Sequence, residues 1–252
     1  TLFKESADKV KQNAAEAYRT AGMSANEYME LTTSFSASLL QSVAGDTAKA
    51  ADIADMAMQD MSDNANKMGT SMEDIKNAYQ GFAKQNYTML DNLKLGYGGT
   101  KTEMQRLLAD AQKITGVKYD INNLSDVYSA IHVIQGELDI TGTTAKEAAS
   151  TISGSFASMK TAFKNVLGQL ALGQNVGPAL QALAQTVTTF LVGNLLPAVW
   201  NIISALPGAL VTFIQTALPQ LVSAFMEFLP QMRAAIASGL PQMLASAQQI
   251  VA

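Results

Sequence analysis

The chain has 252 residues but no cysteine, a single histidine, and no proline before Pro178. Without cysteine it can form no disulfide, thiolate nucleophile or thiolate metal site. The net charge is −4, and the sequence has no cluster of lysine and arginine of the kind that binds a phosphate backbone. We therefore expect no sequence-specific binding of nucleic acid.

Charge is almost missing from the last third of the chain. No charged residue occurs between Asn165 and Met226, and the last 88 residues contain only Glu227 and Arg233. So abrupt a change of composition predicts two regions in different environments. We place the border between residues 165 and 175 and define residues 1–170 as a charged and polar helical region. Residues 171–252 then form a hydrophobic, nearly uncharged helical region.

The second region repeats the pair Leu-Pro at intervals of 10 to 12 residues. Eleven residues are close to three helical turns, so the prolines would share one face if the helix continued through them. Alternatively, each proline ends a short helix, since proline inside a helix costs about 3 kcal/mol. Both interpretations fit, and we favour short or kinked helices. The candidate hinge positions are Pro197, Pro207, Pro219, Pro230 and Pro241.

The window from Leu195 to Ile214 is the best candidate for a membrane-spanning segment. Its length matches the roughly 20 residues that cross a bilayer, and its only polar side chains are Asn201, Ser204 and Thr212. More polar residues flank it on both sides. The candidate membrane-inserting residues are Leu195, Leu196, Val199, Trp200, Ile202, Ile203, Leu206, Leu210, Val211, Phe213 and Ile214.

Residues 1–164 predict a series of helices because Ala, Met, Lys, Gln, Glu and Leu dominate them. Capping boxes at Ser24 and Thr100 and a weaker version at Ser71 mark three of the starts. We expect helices near 25–44, 46–67, 72–91, 102–115, 124–134, 143–153 and from 155 onward. The predicted class is therefore all-α, an elongated multi-helix region followed by a hydrophobic, proline-punctuated helical region, and we expect the chain to be oligomeric.

Five aspartates between residues 46 and 63 could suggest a cation site. They lack the alternating ligand loop, central glycine and terminal glutamate that make a calcium motif specific. We therefore predict that they form a solvated helix face. The members are Asp46, Asp52, Asp55, Asp60 and Asp63.

His132 lies in the apolar run 131–134 and has no acidic residue one helical turn away on either side. A general base or metal ligand needs a partner, which only a tertiary contact could supply here. The run GYGGTKT at 96–102 has a threonine where a phosphate-binding loop needs its second glycine. We predict no catalytic, cofactor-binding or metal-binding residue and no cofactor.

The run 78–101, AYQGFAKQNYTMLDNLKLGYGGTK, is the most specific of several runs that share a family pattern. It resembles the tail tape measure proteins of phages and prophages of Gram-positive bacteria. The runs 21–30 (AGMSANEYME), 50–55 (AADIAD) and 61–69 (MSDNANKMG) are similar to the shared module of that family. Residues 140–148 and the stretch from Ser155 to Trp200 share its character, so the resemblance covers about residues 20 to 200.

The resemblance implies a helical, non-enzymatic protein that sets the length of the phage tail. Such proteins lie inside the tail tube and leave ahead of the DNA, and their hydrophobic region is proposed to enter the host membrane. Implied partners are copies of itself, as a trimer or hexamer, tail tube and tail tip or baseplate proteins, tail assembly chaperones and the host cytoplasmic membrane. The implied location is the lumen of the virion tail, and the host membrane during infection.

Two alternatives remain open. The chain could be a membrane-inserting pore-forming toxin or bacteriocin with a soluble carrier region, or a helical oligomeric adaptor whose uncharged region is an oligomer core. The chain begins with Thr1 and has no secretory signal pattern. Because tape measure proteins are usually far longer, we expect it to be a segment of a longer protein.

Overall fold

A computed structural model describes residues 3–205 and, beyond them, 208, 212, 215–217, 219–220, 222–227 and 230. The structure is 79% helical and contains no strand among those residues, which confirms the all-α class. The chain divides into two compact units, Thr1–Asn165 (unit 1) and Val166–Ala252 (unit 2).

Eight α-helices begin among the described residues of unit 1. They are α1 (Ala7–Thr20), α2 (Ala25–Ser42), α3 (Thr47–Met68), α4 (Met72–Phe82), α5 (Lys101–Thr115), α6 (Leu124–Glu137), α7 (Thr143–Ser150) and α8 (Ile152–Ala171). Short 3₁₀ turns occupy Lys4–Ser6 and Leu90–Leu93. The division between the units and the composition border expected at residue 170 both lie within α8. In unit 2, α9 (Gly177–Thr188), a π-helical segment (Thr189–Leu195) and α10 (Leu196–Ala205) follow one another.

Local cap chemistry fixes several helix boundaries. The predicted capping box is confirmed at α2, where the Ser24 backbone N–H donates to the Glu27 carboxylate and the Glu27 N–H donates to the Ser24 hydroxyl. Glycine ends α3 at Gly69 with a φ of 67°, a left-handed conformation that glycine adopts without the strain of a Cβ atom. Thr100 caps α5 through the N–H of Glu103, as its spacing predicts.

The helix predicted over 72–91 is wrong in its length, because α4 ends at Phe82. Gln85 adopts a left-handed φ of 56°. The Asn86 N–H reaches back to the Gly81 carbonyl and the Gln85 N–H to that of Phe82, the paired bonds of a Schellman ending. Such an ending usually uses glycine, so the glutamine in this place gave no signal in the sequence.

Helix α3 lies at the centre of unit 1 and packs against α1, α2, α4, α6 and α7. Its inward side carries small and flexible side chains, and small residues let neighbouring helix backbones approach closely. Methionine fills the irregular gaps that remain between the helices. The fully buried members are Ala50, Ala51, Ala54, Ala57, Met58 and Met61.

The glycine-rich segment before α5 folds back onto that helix. The Gly98 N–H donates to the Glu103 carboxylate, and Arg106 donates to the Gly96 carbonyl at 2.7 Å. The Arg106 guanidinium also lies 4.3 Å from the centre of the Tyr97 ring, within the range of a cation–π contact. These polar groups are therefore used within the loop and its own helix.

We predict that Gly99→Ala destabilises unit 1 while Gly136→Ala does not. A Cβ atom at Gly99 would overlap the Thr88 carbonyl, whereas one at Gly136 would meet no neighbouring atom within 4 Å. Overpacking costs about 1–3 kcal/mol, and alanine at the helical Gly136 should gain up to about 1 kcal/mol. Thermal unfolding followed by circular dichroism measures both. Equal melting temperatures for the two variants would contradict this prediction.

Candidate functional site

A polar cluster lies inside unit 1, where α3, α4 and α6 meet. Asp60 of α3 is 1% exposed, and one of its carboxylate oxygens lies 2.8 Å from Nδ1 of His132 on α6. The His132 side chain is 39% exposed, so the imidazole reaches from the core to the surface. The tertiary partner that His132 lacks in its own helix is therefore a carboxylate 72 residues earlier in the chain.

Both members of this pair bind protons more tightly than they would in water. Burial raises the pKa of Asp60 to about 6, although the contact with His132 acts in the opposite direction. The hydrogen bond to Asp60 raises the pKa of His132, against the effect of its partial burial. Nearby Asp63 raises the pKa of both groups further. A carboxylate and an imidazole in this arrangement hold a proton between them, which fixes the orientation of the ring.

Tyr79 and Gln135 complete the cluster. The Gln135 side-chain amide lies 3.4 Å from the Tyr79 hydroxyl, and Tyr128 donates to the Tyr79 backbone carbonyl at 2.8 Å. Burial, together with the nearby Asp60, raises the pKa of Tyr79 well above its ordinary value, so the phenol stays protonated. One oxygen each of Asp60 and Gln135 has no hydrogen-bond partner within the protein.

Asp63 has a different role, because it caps a helix to which it does not belong. Its carboxylate accepts hydrogen bonds from the N–H of Gly142 at 2.6 Å and of Thr144 at 2.8 Å, at the start of α7. The Thr143 hydroxyl donates to the Asp63 backbone carbonyl at 3.3 Å. Within α7 no residue is buried, and Gly142 offers no side chain as a cap. The carboxylate on α3 is therefore the main polar anchor of α7.

The prediction that the five aspartates form a solvated helix face is wrong for Asp60 and Asp63, which are both 1% exposed. Asp55 is also engaged, accepting from the Tyr28 hydroxyl at 2.8 Å and from the Gln59 amide at 2.7 Å. Asp46 caps its own helix, and Asp52 is exposed. Burial of the two carboxylates is tolerated because His132 and the α7 amides supply their hydrogen bonds.

The cluster can hold a proton between two side chains, and its hydrogen bonds connect neighbouring helices. His132 and Asp60 join α6 to α3, and Asp63 joins α7 to the same helix. In the part of the chain that the structure describes, no group of three or more acidic, histidine or cysteine side chains could hold a metal ion. We interpret the cluster as a structural centre of unit 1.

Unit 2 presents the opposite arrangement, with apolar side chains on its surface. One helix, Gly177–Ala205, is 29 residues long and meets the length and composition required to cross a membrane. Only 17% of its most apolar window is buried, whereas the core helix of a soluble protein would be mostly buried. The exposed fractions are 60% for Val192, 65% for Trp200 and 55% for Ile202. This apolar helix is the candidate functional surface.

The predicted membrane-inserting residues fall only partly within this apolar helix. Trp200 and Ile202 are exposed, Leu195, Leu196 and Val199 are half-buried, and Ile203 is buried. The span among the described residues begins at Gly177, 18 residues before the predicted window. Although α9 contains Gln and Thr side chains, the mean hydropathy of the helix is still high enough for a membrane span. The remaining predicted positions lie outside the described residues: Leu206, Leu210, Val211, Phe213 and Ile214.

The helical backbone continues through Pro197, the first of the candidate hinges. Pro197 is the second residue of α10, and the π-helical segment comes immediately before that helix. Pro219 and Pro230 also have helical backbone, while Pro207 and Pro241 lie outside the described residues. The hinge role of the five prolines remains a prediction.

Comparison of the chain with protein-family models, with curated proteins and with solved structures finds no match.

We predict that Asp63→Ala releases the start of α7 while the rest of unit 1 stays folded. Losing the carboxylate leaves the Gly142 and Thr144 amides without an acceptor, at a cost of about 1–2 kcal/mol. Hydrogen exchange measured by mass spectrometry should become at least several-fold faster in residues 142–150. Glu30→Ala, which removes an exposed carboxylate from α2, is the control. Unchanged exchange in α7 of the Asp63 variant would refute the anchoring role.

We predict that the Asp60–His132 pair makes unit 1 more stable at pH 5.5 than at pH 8. Because folding raises the pKa of both Asp60 and His132, their stabilisation is present at low pH and is lost as the pH rises through the folded pKa values. The expected difference is roughly 1–3 kcal/mol. Denaturant unfolding at both pH values measures it, and Asp60→Asn should reduce the difference. Greater stability at pH 8 in the unsubstituted chain would contradict the assignment.

Proposed function

We propose that this chain is a non-enzymatic structural segment of a phage tail tape measure protein. It helps to set tail length from inside the tail tube, with three or six copies of itself side by side. Its partners are the tail tube, the tail tip or baseplate, and the tail assembly chaperones. During DNA ejection its hydrophobic region enters the host cytoplasmic membrane.

The main support for this proposal is that one helical chain contains two contrasting units. Unit 1 has a packed core and its own polar centre, whereas unit 2 presents the apolar helix Gly177–Ala205 with little cover. A protein that is stored against other protein surfaces and later meets a bilayer needs both properties. The run 78–101, which most resembles the tape measure family, covers the end of α4, the Gln85 ending and the glycine loop that precedes α5.

Imaging the chain in its assembled setting tests the proposal directly. Electron cryo-microscopy of tails from a phage that encodes this chain should show helical density inside the tube, in three or six copies around the axis. Mass spectrometry of purified tails should recover peptides from both units. Absence of the chain from the particles, or a position on the outside of the tube, would exclude the proposal.

The exposed apolar helix also favours a second candidate, a pore-forming toxin with unit 1 as carrier. Both candidate functions predict binding to lipid, but only the toxin is expected to permeabilise a membrane outside a phage. A toxin would release dye from liposomes when added alone as the full chain. Deletion from a phage genome would abolish tails only if the chain is a tape measure segment.

The membrane part of the proposal predicts that Val192→Lys weakens binding to vesicles of phosphatidylglycerol and phosphatidylethanolamine. Val192 lies near the middle of Gly177–Ala205 and is 60% exposed. A charge at the centre of a spanning helix costs about 2.5–3.5 kcal/mol, which corresponds to roughly a hundredfold loss of affinity. Vesicle flotation and the emission of Trp200, the only tryptophan, report binding.

Gln181→Lys is the matched control for this experiment, because it places the same charge near the first turn of the helix. Its effect should be much smaller, since a lysine at a helix end can reach the bilayer surface. Equal binding by both variants and the unsubstituted chain would show that the helix does not insert.

A further inference from the structure

Between α9 and α10, seven consecutive residues, Thr189–Leu195, form a π-helical segment within an unbroken helix. The Leu196 N–H bonds to the carbonyl of Leu191, five residues back. The Asn194 side chain donates to the Thr189 carbonyl, also five residues back, at 3.0 Å. Segments of this kind are rare; most are single turns within α-helices, and they occur frequently at functional sites.

Pro197 gives a physical reason for the wide turns. Proline has no N–H to donate, and its ring would collide with the carbonyl four residues earlier, which belongs to Gly193. Widening the preceding turns moves that carbonyl away from the ring. The side-chain hydrogen bond of Asn194 then supports the wide register from within the segment. No atom lies within 4 Å of a Cβ built on Gly193, so close packing does not explain the glycine.

We propose that Thr189–Leu195 is a rotation joint that sets the direction in which α10 presents its apolar side chains. A wide turn of this kind accommodates one residue more than an α-helix would over the same path. Converting it to α-helical register without removing a residue therefore turns α10 by about 100° relative to α9. Trp200 and Ile202, both exposed, would turn with it. The joint is a property of unit 2 and does not depend on the proposed tape measure role.

Three variants of the full chain in detergent micelles separate the parts of this proposal. Asn194→Leu combined with Pro197→Ala removes both supports while keeping the chain length. Deletion of Gly193 in that double variant also removes the extra residue. Deletion of Ala184, an exposed residue of α9, is the control, because it shortens the helix outside the joint.

Nuclear magnetic resonance contacts between the Hα of one residue and the amide proton five residues later identify the wide register. The unsubstituted chain and the Ala184 deletion should show these contacts over residues 189–196. The double variant and the Gly193 deletion should lose them and show four-residue contacts instead. Four-residue contacts in the unsubstituted chain, or five-residue contacts in the double variant, would overturn the proposal.

Acrylamide quenching of Trp200 tests the rotation separately from the register. The double variant should change the quenching constant, since α10 has turned about its axis. The Gly193 deletion should keep the original constant, because loss of one residue compensates for loss of the wide turn. Quenching that is the same in the double variant and the unsubstituted chain would show that no rotation occurs.

Discussion

The alanine-rich side of α3 is the constraint on which unit 1 depends. Five helices pack against α3. The backbones of these helices can approach closely because the α3 side chains that face them are small, namely Ala50, Ala51, Ala54 and Ala57. Close approach also removes water from Asp60 and Asp63, which lie on the same helix. Each carboxylate then needs a partner from another helix, since an unpaired buried charge would cost several kcal/mol. The polar centre and the anchoring of α7 are therefore consequences of how the core packs.

Unit 2 differs from unit 1 in its charge content and in the exposure of its apolar side chains. It has almost no charge to keep in water, and its helix Gly177–Ala205 leaves Val192, Trp200 and Ile202 exposed. Large apolar side chains exposed along one helix are typical of a site that meets another protein or a bilayer. In the proposed function both occur in turn, first other copies and the tube wall, then the membrane. The π-helical segment would set the direction in which α10 presents its exposed side chains.

The sequence predicted features whose causes are local and missed those whose causes are distant. The capping box at Ser24 and the cap at Thr100 depend on residues within one turn, so they could be recognised directly. The burial of Asp60 depends on His132, 72 residues away, and no periodicity reveals that contact. The end of α4 was missed because Gln85 takes a conformation usually given to glycine. The π-helical segment has the same composition as an ordinary apolar helix, so the only local hint was Pro197.

We propose that this chain contributes to a length-determining protein inside a phage tail. The most direct measurement is tail length by electron microscopy in a phage whose gene carries an in-frame duplication of unit 1. If the chain sets length, the tails will be uniformly longer than those of the parent phage. Tails of unchanged length, assembled with the duplicated chain present, would contradict the claim.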